Sequence, residues 1–395
     1  MTPGARTQAA IELLDEIVAA AASGGAAADT LIARYFATRR YAGSKDRRAV
    51  RELVYAAIRQ AGPVPVSGRA AVVAVADHDP AVAATFDGMG HGPAPITPDE
   101  PRAEAGVAPG WLVEALGASG LDARQQAALV DRAPLDIRVN SLATTREAVL
   151  DQWPEANPTP LAPLGLRLPN GTAVEQSELY RAGLVEVQDE GIQLVGAALR
   201  AQPGKWLVDL CAGAGGKTLQ IAAAMANQGA LLACDIDRAR LQRLAPRAER
   251  AGATIVESRL LNPGHEAETL ADWAGKADGV LIDAPCSGTG TWRRNPEARW
   301  RLTPDRLARL GGMQAQVLAI GAGLVKPGGR LVYIVCSLLD AEGTDQVTAF
   351  LSDHDGWSVE SIEPAIGTPH GLGQRLDPAT HGTDGFFVAC LRAPC

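Results

Sequence analysis

Aromatic residues are scarce in this chain of 395 residues, at 4%, and no apolar run approaches the roughly 18–20 residues that a membrane span requires. No signal peptide is read at the start, where Met-Thr-Pro-Gly-Ala-Arg leads into an amphipathic stretch carrying Glu and Asp. The six histidines are scattered and none pairs at metal-ligand spacing, so no metal is expected. Cysteines 211, 234, 286, 336, 390 and 395 show neither Cys-x-x-Cys spacing nor the density of a disulfide scaffold. Reduced thiols in a cytoplasmic protein are the expectation. Positive charge is short overall, and a net charge of −8 argues mildly against a nucleic-acid partner. The remaining composition, 47% hydrophobic and 21% charged, is ordinary for a soluble globular protein, and the length suffices for about two or three domains.

The charge average conceals two basic stretches. Residues 31–60 hold eight Lys/Arg against two acids, and residues 292–309 hold six against two. Such stripes follow a phosphate backbone or form solvated helix faces, and either reading is open for each. Apolar positions recurring at three and four (Ile11, Leu14, Ile17; Ile32, Tyr35, Phe36; Val50, Val54, Ile58) predict an all-helical domain over 1–88. Pro, Gly and acids over 89–110 predict a linker. Residues 111–188 predict a small α+β module, with helices entered at Trp111, strands at 135–139, 164–168 and 184–187, and a helix near 145–152. Over 189–395 the strand candidates 206–210, 230–234, 254–256, 280–282 and 331–335 alternate with helices, the longest at 303–325. Two late runs, 357–362 and 385–391, predict a closing hairpin. This alternation implies an α/β domain with a mostly parallel sheet covered on both faces.

One glycine-rich turn follows a strand and opens a helix: Asp209-Leu-Cys211-Ala212-Gly213-Ala214-Gly215-Gly216-Lys217-Thr218. Glycines let the backbone approach a ligand, and the helix start offers unpaired N–H groups. A phosphate-binding P-loop needs glycine where Cys211 stands, and a dinucleotide fingerprint needs glycine where Thr218 stands, so both fail. A second acid, Asp235, closes the next strand, where it would accept hydrogen bonds from ribose hydroxyls. Together these features fit an adenosine cofactor whose sulfonium or amino-acid end lies over the turn.

Two thiols complete the pattern. Cys286 in Asp283-Ala-Pro-Cys286 and Cys336 in Tyr333-Ile-Val-Cys336 each sit just past an apolar strand, which carries both to one rim of a parallel sheet. Carbon-5 of a pyrimidine is a poor nucleophile until a thiolate adds at carbon-6, and an acid such as Asp283 near N3 balances the charge that develops. Which thiol attacks is not decided by position. Cys234 and Cys390, inside strands, read as small buried hydrophobes.

These residues, with Asp235-Ile-Asp237, Ser287-Gly-Thr-Gly290, Glu342, Asp136-Ile-Arg138-Val-Asn140 and Gln188-Asp189-Glu190, resemble the RsmB (Sun, Fmu)-type RNA cytosine-5 methyltransferases over about residues 108–392. The helical N-terminus is similar to that family's NusB-like RNA-binding domain. The resemblance implies a class I, Rossmann-like methyltransferase domain preceded by an RRM-like α+β RNA-binding module. It implies S-adenosylmethionine held by residues 211–217, Asp235 and Asp283. It assigns Cys336 as nucleophile, Cys286 to release of the methylated base, and Asp283 to contact with cofactor and base. The two thiols thus take separate roles, and the motifs give a redox pair no support. The implied partner is RNA, ribosomal RNA or a small-subunit assembly intermediate, and a monomer away from membranes is expected. The chain departs from the family at Gly213-Ala214, where Ala-Pro is usual and whose loss would loosen the turn. Val335 replaces the usual Thr, Gly343 replaces an Asn, and the acid expected after the third strand is missing, leaving Ser258 or Asn262 in its place. These departures motivate the alternative of an RNA-binding assembly factor without efficient catalysis.

Overall fold

The computed structural model describes residues 1–395, which divide into two compact units: residues 1–132 with 291–304, and residues 133–290 with 305–395. No helix is long and apolar enough to cross a membrane.

The first unit is helical. Its main helices are α1 (Pro3–Ser23), α2 (Ala28–Thr38), α3 (Ser44–Gln60) and α4 (Gly68–Ala76). The periodic apolar positions read from the sequence form its core, with Leu14, Ile17, Phe36, Val54, Ile58 and Val73 all buried. Helix α4 is apolar on almost every face because it runs through the middle. Gly68 starts it in a gap that a side chain would close, since a Cβ there would lie 2.2 Å from the Ile11 carbonyl oxygen.

Two boundary expectations are corrected here. The 89–110 stretch is not a free linker: Gly62 N donates to Glu104 O at 3.0 Å, Gly106 N to Gln60 O at 3.0 Å, and Arg69 pairs with Glu100 at 2.6 Å. Its Pro/Gly content signals absent regular structure, not absent packing. Helices Gly110–Ala118 and Ala123–Ala128 also belong to the helical unit, so the α+β module begins near residue 133, not 111.

The second basic stretch divides. Its first part, 291–304, is a structural insert of the helical unit whose side chains satisfy helix ends. Glu297 accepts from Ala28 N at 3.0 Å, capping α2. Arg299 donates to the Ile58 and Ala61 carbonyls at 2.6 and 2.7 Å, at the end of α3. Arg301 reaches the Gly25 and Ala26 carbonyls, both at 2.7 Å, just past α1, and Trp300 joins the helical core. Neither a phosphate track nor a solvated face describes these residues. Arg306 and Arg309 lie beyond the insert and are exposed.

The second unit holds two sheets. A four-stranded antiparallel sheet is built from β1 (Leu135–Val139), β2 (Asn157–Pro158), β3 (Gly165–Leu168) and β4 (Val185–Val187), in the order β2-β3-β1-β4. The larger sheet contains β5 (Lys205–Asp209), β6 (Gly229–Asp235), β7 (Val256–Leu260), β8 (Ala277–Asp283), β9 (Val325–Val335), β10 (Ser358–Glu360), β11 (Thr368–His370), β12 (Gly373–Leu376) and β13 (Phe386–Arg392). Its order is β11-β12-β13-β9-β8-β5-β6-β7, with β10 also paired to β13. Strands β7, β6, β5, β8 and β9 run parallel, and the remaining pairings are antiparallel. The strand order reverses beside β5, which opens a crevice at the carboxyl ends of β5 and β8.

The two late apolar runs do pair, Ser358 opposite Arg392, but not as a simple hairpin: the polar β11–β12 hairpin intervenes. Strand β7 lies later than 254–256, because an edge strand need not be apolar and continues through Glu257, Ser258 and Arg259. The break expected between 188 and 189 is bridged by buried polar contacts. Glu190 accepts from Ala162 N at 2.9 Å, Asn140 donates to the Ala251 carbonyl at 2.8 Å, and Glu186 pairs with Arg247 at 2.8 Å.

Candidate active site

Parallel strands ending in acids put Asp209, Asp235 and Asp283 on one rim, and Cys336 directly follows β9 beside them. Register fixes the match, since Asp283 lies opposite Ile334 and Ala284 N donates to Ile334 O at 2.9 Å.

The glycine turn is tied at three backbone groups. Gly213 N donates to Asp235 Oδ2 at 2.7 Å, Gly215 N to Ala212 O at 2.9 Å, and Arg247 to Ala214 O at 2.7 Å. Gly213 and Gly215 take φ of +55° and +87°, where a side chain is strained, and a Cβ on Gly215 would meet Leu244 at 2.1 Å. The turn is therefore held firmly without proline, contrary to the loosening expected from the sequence. Asp235 also accepts from Asp237 N at 2.7 Å, so each of its oxygens has one lone pair committed and one left for a ribose hydroxyl. Ile236 beside it is 50% exposed and offers an apolar face at the rim. Space is open over Gly216 at the start of helix Gly216–Ala224. The set fits an adenosine cofactor: a tight cradle, a ribose acceptor and an apolar shelf. For the missing third-strand acid, Leu261 N bonds Asp235 O at 2.9 Å, which puts Asn262 just past the strand end and Ser258 two pairs below it.

Lys217, nearly buried, pairs with Asp283 Oδ2 at 2.7 Å. Burial opposes its charge, but Asp283 outweighs burial and raises its pKa. Asp209 is fully buried and accepts from Thr218 Oγ1 at 2.6 Å. Burial pushes it up to about 6 against an ordinary value of 3.8. A carboxyl raised in the fold favours the native state at low pH and loses that contribution as pH rises from about 4 through 6. Asp209→Asn should therefore gain about 2 kcal/mol on the wild type between pH 4 and pH 8, at 1.36 kcal/mol per pKa unit. Urea unfolding across that range checks this; curves that stay parallel would mean that Asp209 does not titrate there.

The two thiols lie 3.3 Å apart, Sγ to Sγ. Their loops are locked together around Glu342, which is fully buried. Glu342 accepts from Ser287 N at 2.8 Å, from Ser287 Oγ, and from Gln314 Nε2 at 3.0 Å. Ser337 Oγ is hydrogen-bonded to Ser287 Oγ at 3.1 Å, and Gly290 N donates to Cys336 O at 3.0 Å. The hydrogen bond with Cys336, then burial, push Cys286 well above its ordinary value, so it stays a thiol. Burial and the surrounding carboxylates do the same to Cys211. Cys336 lies near enough to Lys217 for the two groups to interact electrostatically.

The candidate site residues 211–217, Asp235, Asp283, Cys286 and Cys336 gather on this rim. Gln314 and Arg247 were missed. Gln314 lies on the buried stripe of helix Pro304–Leu324 with Leu318, Gly321 and Leu324, and a polar residue on an apolar stripe was the available signal. Arg247 lies one turn after buried Leu244 in the same way.

The family model of the 16S rRNA methyltransferase RsmB/F matches residues 196–392. A probable ribosomal RNA small subunit methyltransferase B of Synechocystis is 38% identical over 302 residues, which make up 72% of this chain and 66% of that relative's length. Among solved structures, PH0851 superposes with a TM-score of 0.76 at 23% identity over 99% of both chains. A methyltransferase homolog from Pyrococcus horikoshii gives 0.60 at 26% identity, over 72% of this chain and 99% of its own.

Proposed function

This chain belongs to the 16S rRNA methyltransferase RsmB/F family, and from that premise we propose that it methylates carbon-5 of a cytosine in small-subunit ribosomal RNA through a covalent adduct with Cys336. The observation that carries this reading is the pair of thiols 3.3 Å apart on the rim that also holds Asp283. S-adenosylmethionine, held by residues 211–217, Asp235 and Asp283, supplies the methyl group as a sulfonium electrophile. Cys336, as thiolate, adds to carbon-6 of the ring and turns carbon-5 into an enamine-like nucleophile. Asp283 near N3 balances the charge on the ring, and its pairing with Lys217 fixes its orientation. After transfer, loss of the carbon-5 proton expels Cys336 from carbon-6, and Cys286 serves this release. Exposed Arg34, Arg40, Lys45, Arg47 and Arg48 on α2, α3 and their connection support RNA as the partner.

Cys286→Ala is expected to accumulate a protein–RNA adduct that survives denaturing electrophoresis, and Cys286→Ala/Cys336→Ala to form none. Bisulfite sequencing of the small-subunit RNA with and without the protein should reveal one protein-dependent protected cytosine. If every cytosine converts equally in both samples, the cytosine-5 reading falls.

A further inference from the structure

The two thiols are more than neighbours on a rim. With 3.3 Å between their sulfurs, closure to a disulfide bond of about 2.05 Å asks for a movement of only about 1.3 Å. The hydrogen bond between Ser287 Oγ and Ser337 Oγ and that from Gly290 N to Cys336 O keep the sulfurs in register, so the pairing is set before any oxidant arrives. Both side chains are partly exposed, whereas Cys234 and Cys390 are buried. Cys286 is held as a thiol by its contact with Cys336, so it is the thiol poised to resolve an oxidised Cys336. Oxidation by a peroxide requires one thiolate to attack and one thiol to resolve the product.

We propose that Cys286 and Cys336 form a reversible, peroxide-driven disulfide that switches the site off. The Cys336 thiolate attacks a hydroperoxide oxygen, giving a sulfenic acid and releasing hydroxide or alkoxide. The Cys286 sulfur then displaces the sulfenic oxygen, which leaves as water with the Cys286 proton. Two thiols are oxidised by two electrons, and one peroxide is reduced to two waters, or to one water and an alcohol. Cys286 thereby protects Cys336 from irreversible sulfinic acid, because resolution by a sulfur already in contact outruns a second peroxide. Cys211, ringed by Asp209, Asp235 and Asp283, is kept out of this chemistry as an unreactive thiol.

The test uses the full chain, reduced, freed of reductant and treated with hydrogen peroxide, then mapped by non-reducing peptide mass spectrometry. A Cys286–Cys336 linkage is expected, with iodoacetamide labelling of both thiols lost together and restored by dithiothreitol. In Cys286→Ser, with folding checked by circular dichroism, Cys336 should advance to a sulfinic acid that dithiothreitol does not restore. Sulfinic acid at Cys336 in the wild type, linkage through Cys211 or Cys395 instead, or undiminished labelling would each overturn the proposal. The readout is mass, so it stands or falls whether or not the RNA reading does.

Discussion

Cys336→Ala is expected to abolish methyl transfer to RNA while leaving cofactor binding close to wild type. The loss should be on the order of a millionfold, the scale seen when a covalent nucleophile is deleted from an enzyme. On the proposed reaction, the reason is specific to the substrate. Without a sulfur added at carbon-6, carbon-5 of a cytosine lacks the electron density to attack a methyl group, and no neighbouring acid can supply it. The cofactor side is insulated from the change, because the turn is held by Asp235, Arg247 and its own Gly215–Ala212 bond. A thermal shift with S-adenosylhomocysteine should therefore be retained. Rapid methylation by the variant would transfer the nucleophile role elsewhere, with Cys286 the first candidate at 3.3 Å.

How much of this site was legible follows from which contacts are local. Asp209, Asp235, Asp283 and Cys336 could be placed on a rim because buried parallel strands read as apolar runs, and the residue after each run must emerge at the carboxyl edge. The glycine turn was legible for the same reason, as a break between strand and helix. What could not be read are polar groups whose partners are remote in sequence. Arg247 holds a carbonyl 33 residues away, and Glu342 anchors Ser287 across 55. Stiffness was misjudged at Ala214 because proline restrains a turn locally, whereas an arginine from another helix restrains it through space. The hairpin β11–β12 went unseen since its Pro, Gly and polar residues satisfy a strand only once β13 provides an edge.

The basic stretch at 292–309 is the sharpest case of this limit, because composition cannot say whether a cation will face water or a helix end. Arg299 faces helix carbonyls, and the second large effect is expected there: Arg299→Ala should destabilise the helical unit by about 3–5 kcal/mol, joining a cavity cost to unsatisfied buried carbonyls. Arg299 has no exposed surface, and burial lowers its pKa to about 9, which still leaves it charged at neutral pH. Its guanidinium gathers the Pro296, Ile58 and Ala61 carbonyls, and the positive charge sits at the carboxyl end of α3, where the helix dipole favours it. A single ammonium cannot span that fork, so Arg299→Lys should recover only part of the loss. Scanning calorimetry of the full chain should show one transition lowered by about 10 °C for the alanine variant. Arg309→Ala, on the exposed part of the same stretch, should change stability by no more than about 0.5 kcal/mol. Equal effects at the two arginines would mean that the insert does not fasten the helices. The same contacts predict the outcome of truncation. Removing residues 1–132 would strip Trp300 of its core and Arg299 of its helix carbonyls, so the remaining chain should aggregate unless 291–304 is removed as well.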